Sequence, residues 1–70
     1  MNGATMDYID YIRQAREEKG ISQRKFSVML GLSETAYGHY EGRRRTMELD
    51  TFVKICKLLD LSADEILGLK

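Results

Sequence analysis

Apolar residues recur along this chain at helical steps, in short stretches closed by glycine or opened by serine. Between Asp7 and Lys19, Tyr8, Ile9, Ile12 and Ala15 fall at steps of one, three and four, while Arg13, Arg16, Glu17 and Glu18 fill the other faces. This predicts an amphipathic first helix stopped by Gly20, just past its last turn. Ser22 is placed to cap a second helix, with Gln23 in its first turn and Phe26, Met29 and Leu30 on its apolar side, and Gly31 ends it. Ser33 is expected to cap a third helix, about Glu34 to Tyr40, apolar at Ala36, Tyr37 and Tyr40. Gly42-Arg43-Arg44-Arg45-Thr46 reads as a loop. A fourth helix, about Leu49 to Leu59, shows Leu49, Phe52, Val53, Ile55, Cys56 and Leu59 at helical spacing. Ser62 with Glu65 three residues later forms a capping box for a short fifth helix carrying Ile66 and Leu67. The expectation is a compact all-α, five-helix domain over residues 7–70, preceded by a flexible tail at residues 1–6.

Composition narrows the class. The chain has 70 residues, six glycines and no proline, which suits helices joined by glycine turns. A domain of this size buries only about 60% of its unfolded surface, so its helices must pack regularly. The lone Cys56 excludes an internal disulfide and, on the apolar face of the fourth helix, reads as an inert small hydrophobe. With His39 it still falls short of a structural zinc site, so no metal or other cofactor is expected. Apolar runs are too short to span a bilayer and nothing suggests a signal peptide, so the expectation is a cytoplasmic, reduced chain with no membrane partner.

Charge changes the picture only through its distribution. Net charge is zero, yet residues 13–45 hold eight bases against four acids, while residues 1–12 and 46–70 each carry −2. A positive middle with acidic ends can turn one side toward a polyanion.

The informative segment is Gln23 to Tyr40. Its two helices are joined through Leu30-Gly31-Leu32-Ser33, a turn tight enough to force a steep crossing. Such a corner needs a small residue at the crossing (Ser27), a residue tolerant of positive φ (Gly31), and apolar flanks (Phe26, Leu30, Leu32, Tyr37 and Tyr40). Counting Gln23 as one, these fall at 4, 5, 8, 9, 10, 15 and 18, the spacing of a helix-turn-helix.

The stretch from Ile12 to Leu67 resembles the phage repressor and Cro-type helix-turn-helix proteins, the xenobiotic-response-element family of bacterial regulators. The matching strings run from Ile12 through Gln23, then Leu30-Gly31-Leu32-Ser33, Tyr40-Glu41, Leu49 to Leu59 and Asp60 to Leu67. The resemblance implies a lambda-repressor-like fold and a sequence-specific double-stranded DNA-binding transcription regulator, a repressor acting as a dimer on a palindromic operator. The second helix of the motif would enter the major groove. Its outward positions are Glu34, able to accept from a cytosine amino group, Thr35, suited to thymine, Gly38, and His39, able to donate to guanine or phosphate. This is a sparse reading surface. Gly38 costs about 1 kcal/mol in a helix interior relative to alanine, and reads either as a close approach to DNA or as a tolerated weakness.

The same resemblance makes Gln23 a phosphate clamp and Ser33 a second candidate, with Arg43, Arg44 and Arg45 past the reading helix and Arg24 adding charge. Where the family usually sets an Asn-Gly turn, this chain has Gly42-Arg43. Arg16 and Glu41 match a buried ion pair in relatives, while Tyr37 and Tyr40 read as core. Leu61, Ile66, Leu67 and Leu69 are apolar candidates for a homodimer surface. A competing reading keeps the fold but makes it a protein-interaction module, such as an antitoxin-like subunit. That reading draws on the zero net charge and on an acid at a reading position. Catalytic constellations are missing from the sequence, so no enzyme and no small-molecule ligand are expected.

Overall fold

The computed structural model describes residues 7–68. The expected tail at residues 1–6 and the Leu69 candidate lie outside the described residues. Five helices follow in order, α1 (Tyr8–Glu18), α2 (Gln23–Met29), α3 (Ala36–Glu41), α4 (Leu49–Leu59) and α5 (Ala63–Ile66), with no strand among the described residues.

Local chemistry sets most helix ends. Asp7 caps α1 reciprocally with Asp10: the Asp10 amide donates to Asp7 Oδ1 at 3.0 Å and the Asp7 amide to Asp10 Oδ2 at 3.3 Å. Ser22 Oγ accepts from the Lys25 amide at 3.0 Å, as its position predicts, and Ser62 Oγ from the Glu65 amide at 3.3 Å, which is the serine half of the capping box expected there.

The start of α3 differs from expectation. Ser33 does not cap it; the helix begins at Ala36, with Thr35 in the cap position and no side-chain cap of its own. The reason lies on α2. Ser27, fully buried, donates from Oγ to the Ser33 carbonyl and accepts from the Tyr37 amide at 3.1 Å. The same Ser33 carbonyl takes the Ala36 amide at 3.2 Å, closing a tight turn. Ser27 thus satisfies one of the orphan amides at the α3 start from the neighbouring helix. It holds Glu34 and Thr35 in a turn ahead of the helix rather than in its first turns.

In the core, α1 packs against α3 and α4, and α2 against α3. Ile9, Ile12, Phe26, Leu30, Tyr37, Tyr40, Phe52, Ile55, Cys56 and Leu59 are buried, joined by Met47 from the loop before α4. Phe26 meets Tyr37 edge to face, ring centroids 4.9 Å apart, and Tyr8 meets Phe52 likewise at 5.8 Å. Three residues placed on apolar faces from their spacing are exposed: Met29, Val53 and, at 72%, Leu49. On α4 the buried stripe is Phe52, Ile55, Cys56 and Leu59, and Leu49 and Val53 lie outside it. Among the described residues no helix is long and apolar enough to cross a membrane.

Candidate nucleic-acid interface

The corner between α2 and α3 forms because the chain can turn left-handed at Gly31, whose φ is +77°. The Gly31 amide reaches the Val28 carbonyl at 2.9 Å and the Leu32 amide the Ser27 carbonyl at 3.0 Å, ending α2 and aiming the chain across it. The end of α3 repeats this pattern with a less suitable residue. The Arg43 amide bonds the Tyr40 carbonyl at 3.1 Å and the Arg44 amide the His39 carbonyl at 2.9 Å, so Arg43, at φ +58°, takes the position that favours glycine. Gly42 precedes it in an ordinary right-handed conformation.

Behind α3 lies a buried polar cluster. Arg16 Nε donates to Glu41 Oε2 at 2.7 Å and Nη2 to Oε1 at 3.1 Å, while Nη1 donates to the Ile21 carbonyl at 2.6 Å. The Tyr37 hydroxyl also donates to Glu41, and Gln23 Nε2 donates to Glu41 Oε1 at 2.8 Å. Burial pushes the Glu41 carboxyl up, but the hydrogen bonds from Arg16, Tyr37 and Gln23 together outweigh it and hold it below its ordinary value. Burial, followed by the bond to Glu41, raises the Tyr37 hydroxyl. The pair ties α1 to the end of α3, fixing orientation more surely than it adds net stability.

On the outer side, Gln23, Arg24, Glu34, Thr35, Gly38, His39 and Arg44 line one open cleft of about 550 Å³. All four expected reading positions meet there, together with three of the expected phosphate ligands. Arg43, Arg44 and Arg45 line a neighbouring cleft of about 190 Å³ with Tyr8, Ile9, Tyr40 and Thr46. Ser33 lines neither.

The arginines are not equivalent. Arg43 Nη2 lies 2.8 Å from both carboxylate oxygens of Asp7 and 3.4 Å from Asp10, which turns it to the start of α1. Its bond, with that of the Asp10 amide, holds the Asp7 carboxyl below its ordinary value. Arg45 lies over the Tyr40 ring, 5.6 Å from the centroid, and 3.6 Å from Glu48. Arg24 pairs with Glu34 at 3.0 Å, both of them lining the larger cleft. Arg44 alone among the six arginines has no carboxylate partner among the described residues, and it borders both clefts. The Arg43–Asp7 pair and the Gln23–Glu41 bond had no local sequence signal, because their partners lie 36 and 18 residues apart.

A helix-turn-helix family model matches residues 12–66, which spans all five helices from the middle of α1 to the end of α5. The chain belongs to the Cro and repressor type of helix-turn-helix proteins. It is 32% identical over 62 residues to the uncharacterized HTH-type transcriptional regulator YobD of Bacillus subtilis (strain 168), covering 89% of this chain and 55% of that protein. It is 28% identical over 60 residues to the uncharacterized HTH-type transcriptional regulator YqaE of the same organism, covering 86% of this chain and 52% of that one. The helix-turn-helix chain therefore spans about half the length of these curated relatives. No solved structure matches it significantly.

Proposed function

We propose that this helix-turn-helix chain is a sequence-specific double-stranded DNA-binding transcription regulator, a repressor that acts as a homodimer on a palindromic operator. The observation that carries this reading is the cleft that gathers Gln23, Arg24, Glu34, Thr35, Gly38 and His39 with Arg44, which has no carboxylate partner among the described residues. Glu34, Thr35 and His39 face base edges, Gln23 and Arg44 bind phosphates, and Arg24 exchanges Glu34 for a phosphate on docking. Arg43 and Arg45, each engaged by carboxylates of the chain, shape the loop and contribute less to DNA.

Two copies supply what one lacks. A good bidentate base contact discriminates by about 1–3 kcal/mol, whereas a specific site needs about 4–10 kcal/mol over random DNA. Symmetric copies on half-sites one helical turn apart would meet that demand. Leu61 and Ile66, half-buried, and Leu67, exposed, are the described apolar candidates for the contact.

Selection from random duplex DNA with the purified protein tests the reading: a recovered palindrome supports it. Gln23→Ala and Arg44→Ala should weaken binding to all sequences alike, whereas Thr35→Ala and His39→Ala should change which sequence is preferred. Unchanged preference after replacing Glu34, Thr35 and His39 together would refute the proposed reading surface. A partner affinity indifferent to salt would instead identify a protein-interaction module, because each phosphate contact contributes a log–log slope of about −0.9.

A further inference from the structure

We propose that Glu41 and Gly38 are positioning residues for Gln23, holding its exposed side-chain amide in one orientation before any ligand arrives. The inference rests on the DNA-binding reading for the purpose of the clamp, but its geometry is a property of the free protein.

The amide is reached from the buried side by a fixed carboxylate. Glu41 is locked by two bonds from Arg16 and one from the Tyr37 hydroxyl, and its side chain is 3% exposed. Its Oε1 accepts from Gln23 Nε2 at 2.8 Å. A carboxylate in that place decides which way the amide lies, since a carbonyl oxygen turned toward it would set two acceptors against each other. The Gln23 oxygen must therefore point the opposite way, and it points over α3 at Gly38. A Cβ at position 38 would lie 3.0 Å from Gln23 Oε1 and 3.8 Å from its Cδ, closer than the oxygen tolerates without moving.

This gives the helical glycine a purpose distinct from both a close approach to DNA and a tolerated weakness. Gly38 is the gap into which the Gln23 oxygen fits, and Glu41 is the anchor that turns it there. One N–H of the amide is engaged by Glu41; the other N–H, on a residue that lines the cleft, is the donor left for a phosphate. An amide already held in place loses less rotamer freedom on binding than one free to turn.

The test has two arms. In the free protein, side-chain amide NMR resonances of Gln23 are recorded for the wild type and for Gly38→Ala. One Nε2 proton should lie away from random-coil positions in the wild type, and both should shift in the variant. Random-coil positions in the wild type, or resonances unmoved by Gly38→Ala, overturn the proposal. In the second arm, affinity for the selected duplex is measured around a cycle of Gly38→Ala and Gln23→Ala. Gly38→Ala should weaken binding by about fivefold with Gln23 present and by less than about 1.5-fold in the Gln23→Ala background, the scale of coupling between contacting groups. An equal loss in both backgrounds overturns the proposal, because the added methyl would then act on the DNA directly. A wild-type chain that binds no duplex sinks the functional reading alone, and the free-protein spectra still judge the positioning.

Discussion

Replacing the three consecutive loop arginines one at a time should separate them by salt dependence rather than by charge. Each is a single positive charge, so a uniform basic patch would lose the same amount from each alanine substitution. The structure divides them. Arg43 sits 2.8 Å from both oxygens of Asp7, and Arg45 sits over Tyr40 beside Glu48, whereas Arg44 faces no carboxylate among the described residues. A cation already surrounded by its own acids releases few counterions when DNA arrives, and leaving them for a phosphate exchanges one ion pair for another. Arg44→Ala should therefore reduce the steepness of the log Kd against log salt plot by about 0.9. Between about 50 and 200 mM salt, one such contact corresponds to a factor of about 3.5 in affinity. Arg43→Ala and Arg45→Ala should leave the slope within about 0.3 of the wild type on the same scale. Fluorescence anisotropy with a labelled duplex across that salt range measures all three. If Arg43→Ala flattens the plot as much as Arg44→Ala does, the division of labour is wrong.

Ser27→Ala removes the partner of the buried Tyr37 amide and leaves the Ser33 carbonyl with the Ala36 amide alone, and should destabilise the domain by about 1–3 kcal/mol. In thermal circular dichroism that is a fall of about 4–8 °C for each kcal/mol, and an unchanged Tm would refute the cross-helix cap. Glu41→Ala leaves Arg16 buried without its counter-charge and should cost about 3–5 kcal/mol in urea unfolding, enough to unfold most of a marginal domain. The Glu41 carboxyl is held below its ordinary value when folded, so the stability it contributes is present above the unfolded carboxylate range and lost as pH falls through the folded value. Urea midpoints should be flat from neutral pH to about pH 5 and decline below about pH 4, with Asp7 acting in the same direction; a midpoint that rises on acidification contradicts this. Glu34→Gln frees Arg24 from its surface partner, so binding to unrelated duplexes should tighten and its salt slope steepen by up to about 0.9. Equal loss on all sequences would place Glu34 outside the interface.

Much of the fold was legible along the chain because it is made by contacts within about one helical turn. The bounds of α4, the caps at Ser22 and Ser62, and the left-handed turn at Gly31 all follow from residues three or four apart. The helix-turn-helix spacing is of the same local kind, and it brought Gln23, Glu34, Thr35, Gly38 and His39 to one cleft as a set. Three matters were settled only when the helices packed. The start of α3 moved to Ala36 because Ser27, nine residues earlier, holds the turn before it. Arg43 turned from the cleft because its acids lie up to 36 residues away, on a helix that its own sequence neighbourhood does not announce. The role proposed for Gly38 depends on Gln23, on another helix, which no period or cap connects to it. Periodicity and capping report free energies that depend on near neighbours, whereas ion pairing and close approach depend on which distant side chains the packed core sets face to face.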